Sequence, residues 1–396
     1  MQKTILQSFL IAFSFILSCS VHANEDLDIS GFARIIAGHL DTDDAEFKGY
    51  DDGWQLRPDS LLGIQATYNA LDNLSFTSQA ILRADKSDES EIEWLYLTYQ
   101  PIENIQLKVG KLRTPFFTLS DVTDVGYAYP WINPPQQVYN AYLFDTFKGI
   151  DINYGYAGET FEASIEIYAG QYDGDIELSG QSTDYSVRGM KGIIGKINFS
   201  NLELRLARYG ARVDFDDGPI TTLSDTLSLF GFSRSAYSLR TDGDVDVSQV
   251  GLVYDNLKYF TRAEWVDIRT DLETAPAVKS HYLTLGFYLS PMTFHLTYAN
   301  SKNSVGTQEQ EIPIGVSPAL DQLAFGYDAV FNSISRDNLK SWTVGARWDF
   351  RKNMALKIEH TKLKGKPGED AFFDIINSSN FDRKANLYLI GLEWLF

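Results

Sequence analysis

The chain has a single cysteine in 396 residues, too few for a disulfide framework. Basic side chains are scarce as well: 34 Lys and Arg stand against 53 Asp and Glu, a formal net charge of -19. A nucleic-acid binder needs a basic footprint, so no nucleic-acid partner is expected. Repeated apolar runs are missing too, and a polytopic helical membrane protein would show several of about 18 residues or more. Histidine is rare, and beyond residue 23 only His39, His281, His295 and His360 remain. No Gly-x-Ser-x-Gly elbow, His-Glu-x-x-His pair or P-loop occurs. No catalytic residue, metal ligand or cofactor is therefore assigned. What is plentiful is aromatic: 25 Phe and 22 Tyr in a chain that is 44% hydrophobic, too apolar for disorder. Two classes survive: a soluble protein of one or two domains, or a membrane protein that hides its apolar face by alternation.

Residues 1–23 read as an export signal. Lys3 precedes an apolar stretch from Ile5 to Leu17, and Val21-His22-Ala23 is an acceptable cleavage site. Cleavage after Ala23 removes Cys19 and leaves residues 24–396 as one domain without thiols. That suits an oxidising compartment.

From there one pattern recurs: about ten residues of apolar/polar alternation, then a connection. Period two puts successive side chains on opposite faces of a strand. Ile29, Gly31, Ala33 and Ile35 share one face, with Asp28, Ser30 and Arg34 on the other. Sixteen such segments lie near 27–38, 60–70, 74–84, 91–100, 104–113, 147–157, 160–170, 190–199, 202–210, 246–254, 258–268, 280–289, 293–300, 339–350, 354–363 and 385–396. Short connections alternate with long ones near 39–59, 114–146, 171–189, 211–245, 301–338 and 364–384. Short turns at one end and long loops at the other describe an all-β transmembrane antiparallel barrel of about 16 strands. An even count puts both termini at the short-turn end. A secreted sandwich would alternate too, and a propeller would show blade repeats, which are not found.

In lipid no backbone group can go unpaired, so a sheet spans only as a closed barrel. The chain ends on Tyr388, Ile390, Leu392, Trp394 and Phe396, alternating up to a C-terminal Phe. This resembles the terminal strand recognised by the outer-membrane insertion machinery of Gram-negative bacteria. The opposite parity carries charge: Arg34, Arg83, Lys108, Lys196, Arg205, Arg262, Arg347 and Lys357 against Asp28, Asp151, Glu162, Glu166, Glu203, Glu264, Asp349, Glu359 and Glu393. Drying so many charges would be costly, which predicts a water-filled lumen, and about sixteen strands are wide enough for one.

The connection after the fifth segment is unusually apolar, running from Thr114 through Phe116-Phe117, Tyr127, Tyr129, Trp131 and Pro134-Pro135 to Tyr139. It must pack on something: a lid over the mouth, a clasp on a neighbouring subunit, or a constriction folded into the lumen. A sixteen-strand count with this loop after strand five resembles the trimeric Gram-negative porins. Gly110-Lys111-Leu112-Arg113, Pro115, Ser120-Asp121, Asp124 to Trp131, Pro134-Pro135 and Val138-Tyr139 resemble a porin-like group related to the phosphate-selective porins O and P. The resemblance implies a homotrimer in outer-membrane lipid and lipopolysaccharide, passing small hydrophilic solutes by diffusion. It also implies a constriction at Asp121, Asp124, Tyr127, Tyr129 and Trp131. There Asp121 and Asp124 would face wall bases drawn from Arg34, Arg83, Lys111 and Arg113, with Lys108 also on the basic wall. Phosphate selectivity does not fit the acidic loops at Asp41, Asp43, Asp44, Glu46, Asp51 and Asp52 and at Asp173, Asp175, Asp214, Asp216 and Asp217. These repel anions, so weak cation preference is expected. The alternatives are an adhesion or binding barrel acting through its loops, and a barrel hydrolase.

Overall fold

The alternating segments are strands, and they close on one another. A computed structural model describes residues 26–85, 90–140, 144–178, 181–378 and 380–396. The expected export signal at 1–23 and its cleavage after Ala23 lie outside the described residues. The strands are β1 (Leu27–Leu40), β2 (Leu61–Leu71), β3 (Leu74–Arg83), β4 (Glu91–Ile102), β5 (Ile105–Arg113), β6 (Thr146–Ala157), β7 (Glu162–Leu178) and β8 (Gln181–Phe199). Then follow β9 (Leu202–Phe215), β10 (Asp242–Asp255), β11 (Tyr259–Thr270), β12 (Ala277–Leu289), β13 (Met292–Ser304), β14 (Leu339–Arg351), β15 (Met354–Gly365) and β16 (Lys384–Leu395). Each pairs with the next, and β1 pairs antiparallel with β16, placing Arg34 opposite Glu393. Closure satisfies every strand edge, the liability of an open sheet.

Alternation sorts the two faces as expected. Ile35, Ile64, Ile150, Ile167, Leu206, Leu285, Val344 and Ile390 are exposed on the outside, while Arg34, Asp151, Arg205, Glu264, Lys357 and Glu393 are buried inside. A charged interior with an apolar exterior inverts a soluble fold and suits a lipid surround. No helix among the described residues is long and apolar enough to cross a membrane.

Three expectations change. The connection expected near 171–189 is a hairpin, because β7 and β8 extend to Leu178 and Gln181. The connection near 211–245 contains helices, α2 (Gly218–Leu229) and α3 (Ser233–Ser238), and that near 301–338 contains α4 (Pro318–Ser333). These helices share a small core of Leu227, Leu239, Tyr327 and Phe331. Two of the three starts are capped by side chains: at α2 Asp217 accepts from the Ile220 N–H, and at α4 Ser317 accepts from that of Leu320. The third change concerns the wall charges. Many are not in water but lie beneath the connection after β5.

Candidate functional site

That connection runs from Thr114 to Asp145. Two short 3₁₀ turns, Ser120–Val122 and Gly126–Ala128, are followed by one helical turn, α1 (Gln136–Tyr139). Pro134-Pro135 precedes α1, where a fixed φ and a missing N–H cost little. The segment bonds to inward-facing side chains around much of the barrel.

Its base is held by β9 and β11. Arg205 donates to the carbonyls of Pro115 (2.6 Å) and Phe116 (3.4 Å). Glu264 accepts from the Thr118 N–H and the Tyr139 hydroxyl, both at 3.2 Å. The Phe116 ring stacks on Tyr209 at 4.5 Å between centroids. Offset aromatic contact adds to the apolar burial here.

A second grip is ionic. Asp124 accepts from Arg83 of β3 and Arg113 of β5, each at 2.9 Å. Arg113 also donates to Glu93 of β4 at 2.6 Å and lies 3.5 Å from Asp145. Burial works to raise the Asp124 carboxyl, but the two guanidinium groups prevail and hold it down at about 2.

The third grip is main-chain. Lys357 of β15 donates to the carbonyls of Gly126 (2.7 Å), Tyr129 (2.8 Å) and Trp131 (2.5 Å), and its ammonium lies 2.7 Å from Glu393 of β16. Arg34 of β1 donates to the Ile132 carbonyl (2.7 Å) and Asn133 (2.8 Å). Arg347 of β14 donates to the Tyr127 carbonyl at 2.7 Å. Glu359 accepts from the Ile132 N–H at 2.8 Å, Trp131 donates to Thr297 of β13 at 2.8 Å, and Gln137 donates to Ser341 at 2.8 Å. Lys357 and Glu393 are each 1% exposed. Dry charges persist only where partners replace water, and here the loop's carbonyls are those partners.

The expected site residues separate. Asp124 meets Arg83 and Arg113, as anticipated. Arg34 instead binds the loop at Ile132 and Asn133. Lys111 turns to Glu91 (2.9 Å) and the Ile92 carbonyl, because it shares the outward parity of Leu107 and Val109. Tyr129 and Trp131, expected at an aperture, are each 1% exposed and pack between loop and wall. The Tyr127 ring lies under the Arg347 guanidinium at 4.4 Å. Asp121 remains exposed. Lys108 sits opposite Asp151 in the β5–β6 ladder, and Lys196 of β8 is 4.0 Å from Glu166 of β7. Among the described residues the loop makes no hydrogen bond to these four. The loop's hydrogen bonds therefore gather on β13–β16 with β1, whereas on β6–β8 it shares an apolar cluster with Phe147, Tyr168, Met190 and Ile194.

Alternation places Lys357, Glu359, Arg347 and Glu393 inside but does not reveal their role. Lys357 and Arg347 bond to carbonyls, and Glu359 to a backbone N–H, more than 200 residues earlier, and main-chain groups carry no sequence signal. The terminal Tyr388, Ile390, Leu392, Trp394 and Phe396 alternate outward, with Tyr388, Ile390 and Phe396 well exposed.

No family model and no curated protein sequence matches the chain. Solved structures do. The outer membrane channel DcaP of Acinetobacter baumannii superposes with a TM-score of 0.56 at 13% identity, over 94% of this chain and 99% of that one. OmpT of Vibrio cholerae, expressed in the outer membrane, gives 0.54 at 12%, over 93% and 97%. Its in-vitro folded trimer form gives 0.52 at 12%, over 93% and 99%. At such identities the likeness establishes the fold: this chain is a closed sixteen-stranded antiparallel barrel built like those outer-membrane proteins.

Proposed function

We propose that the protein is a porin in the outer membrane of a Gram-negative bacterium, passing small hydrophilic solutes or ions by passive diffusion. The observation that carries this is the pairing of an apolar outer belt with a charged inner wall whose buried side chains hold the connection after β5. The connection after β5 is its constriction loop, folded into the lumen. Solutes pass along the wall charges that the loop does not bond, Lys108, Glu166 and Lys196 with the buried Asp151 behind them. With Asp121 exposed nearby, that sector has three carboxylates against two ammonium groups, so weak cation preference follows. The basis for phosphate selectivity is poor, since Arg34, Arg83 and Arg113 are already engaged by loop or carboxylate.

Residues 1–23 act as the export signal, removed after Ala23, and residues 24–396 form one barrel domain. The trimer form of the Vibrio cholerae protein supports proposing a homotrimer here, embedded in outer-membrane lipid and lipopolysaccharide. Diffusion needs no cofactor and no catalytic residue. A second reading, a binding barrel acting through its loops, draws support from the helical cap, where Leu229, Phe230 and Phe325 are exposed.

Single-channel conductance of folded protein in planar bilayers, with reversal potential under a salt gradient, tests the proposal. Stable open steps with cation-biased reversal support it. Silent but verified barrels transfer the case to the binding reading.

A further inference from the structure

Lys357 stands out among the buried groups. Its ammonium is ringed by three carbonyl oxygens of one loop segment and one carboxylate. Such a set is chemically a cradle for a small cation, and here the cation arrives tethered to β15. The cradle spans only Gly126 to Trp131, so it requires the loop to curl around the ammonium. The contacts are to main chain, so their strength does not depend on which side chains the loop carries. The fit is close: a Cβ added at Gly126 would lie 2.3 Å from a Glu393 carboxylate oxygen. The Tyr129 ring closes one side, its centroid 5.0 Å from the ammonium.

We propose that Lys357 is the positioning residue that sets the aperture, by seating the loop's carbonyl cradle against β15 and β16. It touches no solute. It fixes where the segment 126–131 lies, and so how much of the bore stays open on the opposite sector. The aperture role rests on the porin reading, whereas the seating role does not, and the two are measured separately.

The test compares the parent with Lys357→Met and Lys357→Ala in the full folded barrel, with folding verified by the mobility of unheated samples in detergent gels. Seating is read by chymotrypsin, for which Phe116, Phe117, Tyr127, Tyr129, Trp131 and Tyr139 are sites in the loop. Loop cleavage should accelerate at least about tenfold, the factor one lost charge-assisted hydrogen bond produces. Adding n-propylammonium should restore protection to Lys357→Ala, since it returns a cation to the cradle, while tetramethylammonium, which has no N–H, should not. Aperture is read as open-channel conductance, which should rise and flicker in both variants and, in Lys357→Ala, settle again with n-propylammonium. Should these variants fail to fold, Gly126→Ala leaves the wall intact and displaces the cradle from the loop side, with the same two effects expected. Parent-like protection in folded Lys357→Met or Gly126→Ala overturns the proposal. So does lost protection that n-propylammonium leaves unchanged, which would assign the effect to packing alone. Lost protection with unaltered conductance overturns the aperture role and counts against the porin reading, while the cradle stands.

Discussion

The same loop is held in two opposite ways. Around Asp124 the partners are the guanidinium groups of Arg83, 21% exposed, and Arg113, which also faces the more open Asp145. Around Lys357 the partners are carbonyls and a carboxylate, with almost no exposure. The first grip is a partly buried ion-pair cluster, with Asp124 13% and Arg113 6% exposed, that salt and pH reach through its more open members. The second is screened little, and breaking it strands a charge where water cannot follow. One grip can respond to conditions while the other does not.

The sharpest break of this contrast is Glu393→Leu. It leaves Lys357 and Arg34 facing an apolar group, and about 3–5 kcal/mol of barrel stability should be lost, read as the urea midpoint of the folded barrel. An equal loss from Asp124→Leu would erase the distinction. Next comes Asp124→Asn, which removes the charge but keeps an acceptor and should cost about 1–3 kcal/mol of loop attachment, read as chymotrypsin protection. That cost should shrink in concentrated salt, whereas the Lys357→Met effect should not. Third is acid. Asp124 is held at about 2, below its ordinary 3.8, so its contribution is complete above about 3.8 and disappears as pH falls through about 2. Loop protection in Asp124→Asn should accordingly be flat across that window while the parent's declines. The smallest effect belongs to Asp121→Asn at an exposed position: stability within about 0.5 kcal/mol of the parent, but a reversal potential shifted toward anions.

The barrel was legible because a wall that is apolar outside and charged inside requires period two. Ile165 and Ile167 announce a strand since their neighbours Ser164 and Glu166 face the other way. Past the membrane that constraint ends, and the outward positions become Asp173 and Asp175, so the upper half of the β7–β8 hairpin reads as loop. The helices carry only short local signals, Asp217 before Gly218-Pro219 and Ser317 before Pro318, outweighed by the surrounding polar sequence. In the site, Asp124 with Arg83 and Arg113 was readable because opposite charges advertise themselves. The burial of Tyr129 and Trp131 was not, because an aromatic loop reads alike whether its rings face solute or pack on a wall. Nor was Lys111 placed, since the swing of Arg113 onto Glu93 and Asp124 occurs where strand parity gives way to loop geometry.

The position of Glu393 imposes an order of events. The loop is synthesised early, yet Lys357 follows Gly126 by 231 residues, and Glu393 arrives later still. Until the final strand is threaded beside the first, the cradle has no carboxylate and the third grip is incomplete. Contacts this distant along the chain are slow to form. An assembly intermediate that has not yet zipped shut therefore carries this loop incompletely fastened, and the last step that seals the wall is also the step that completes its fastening.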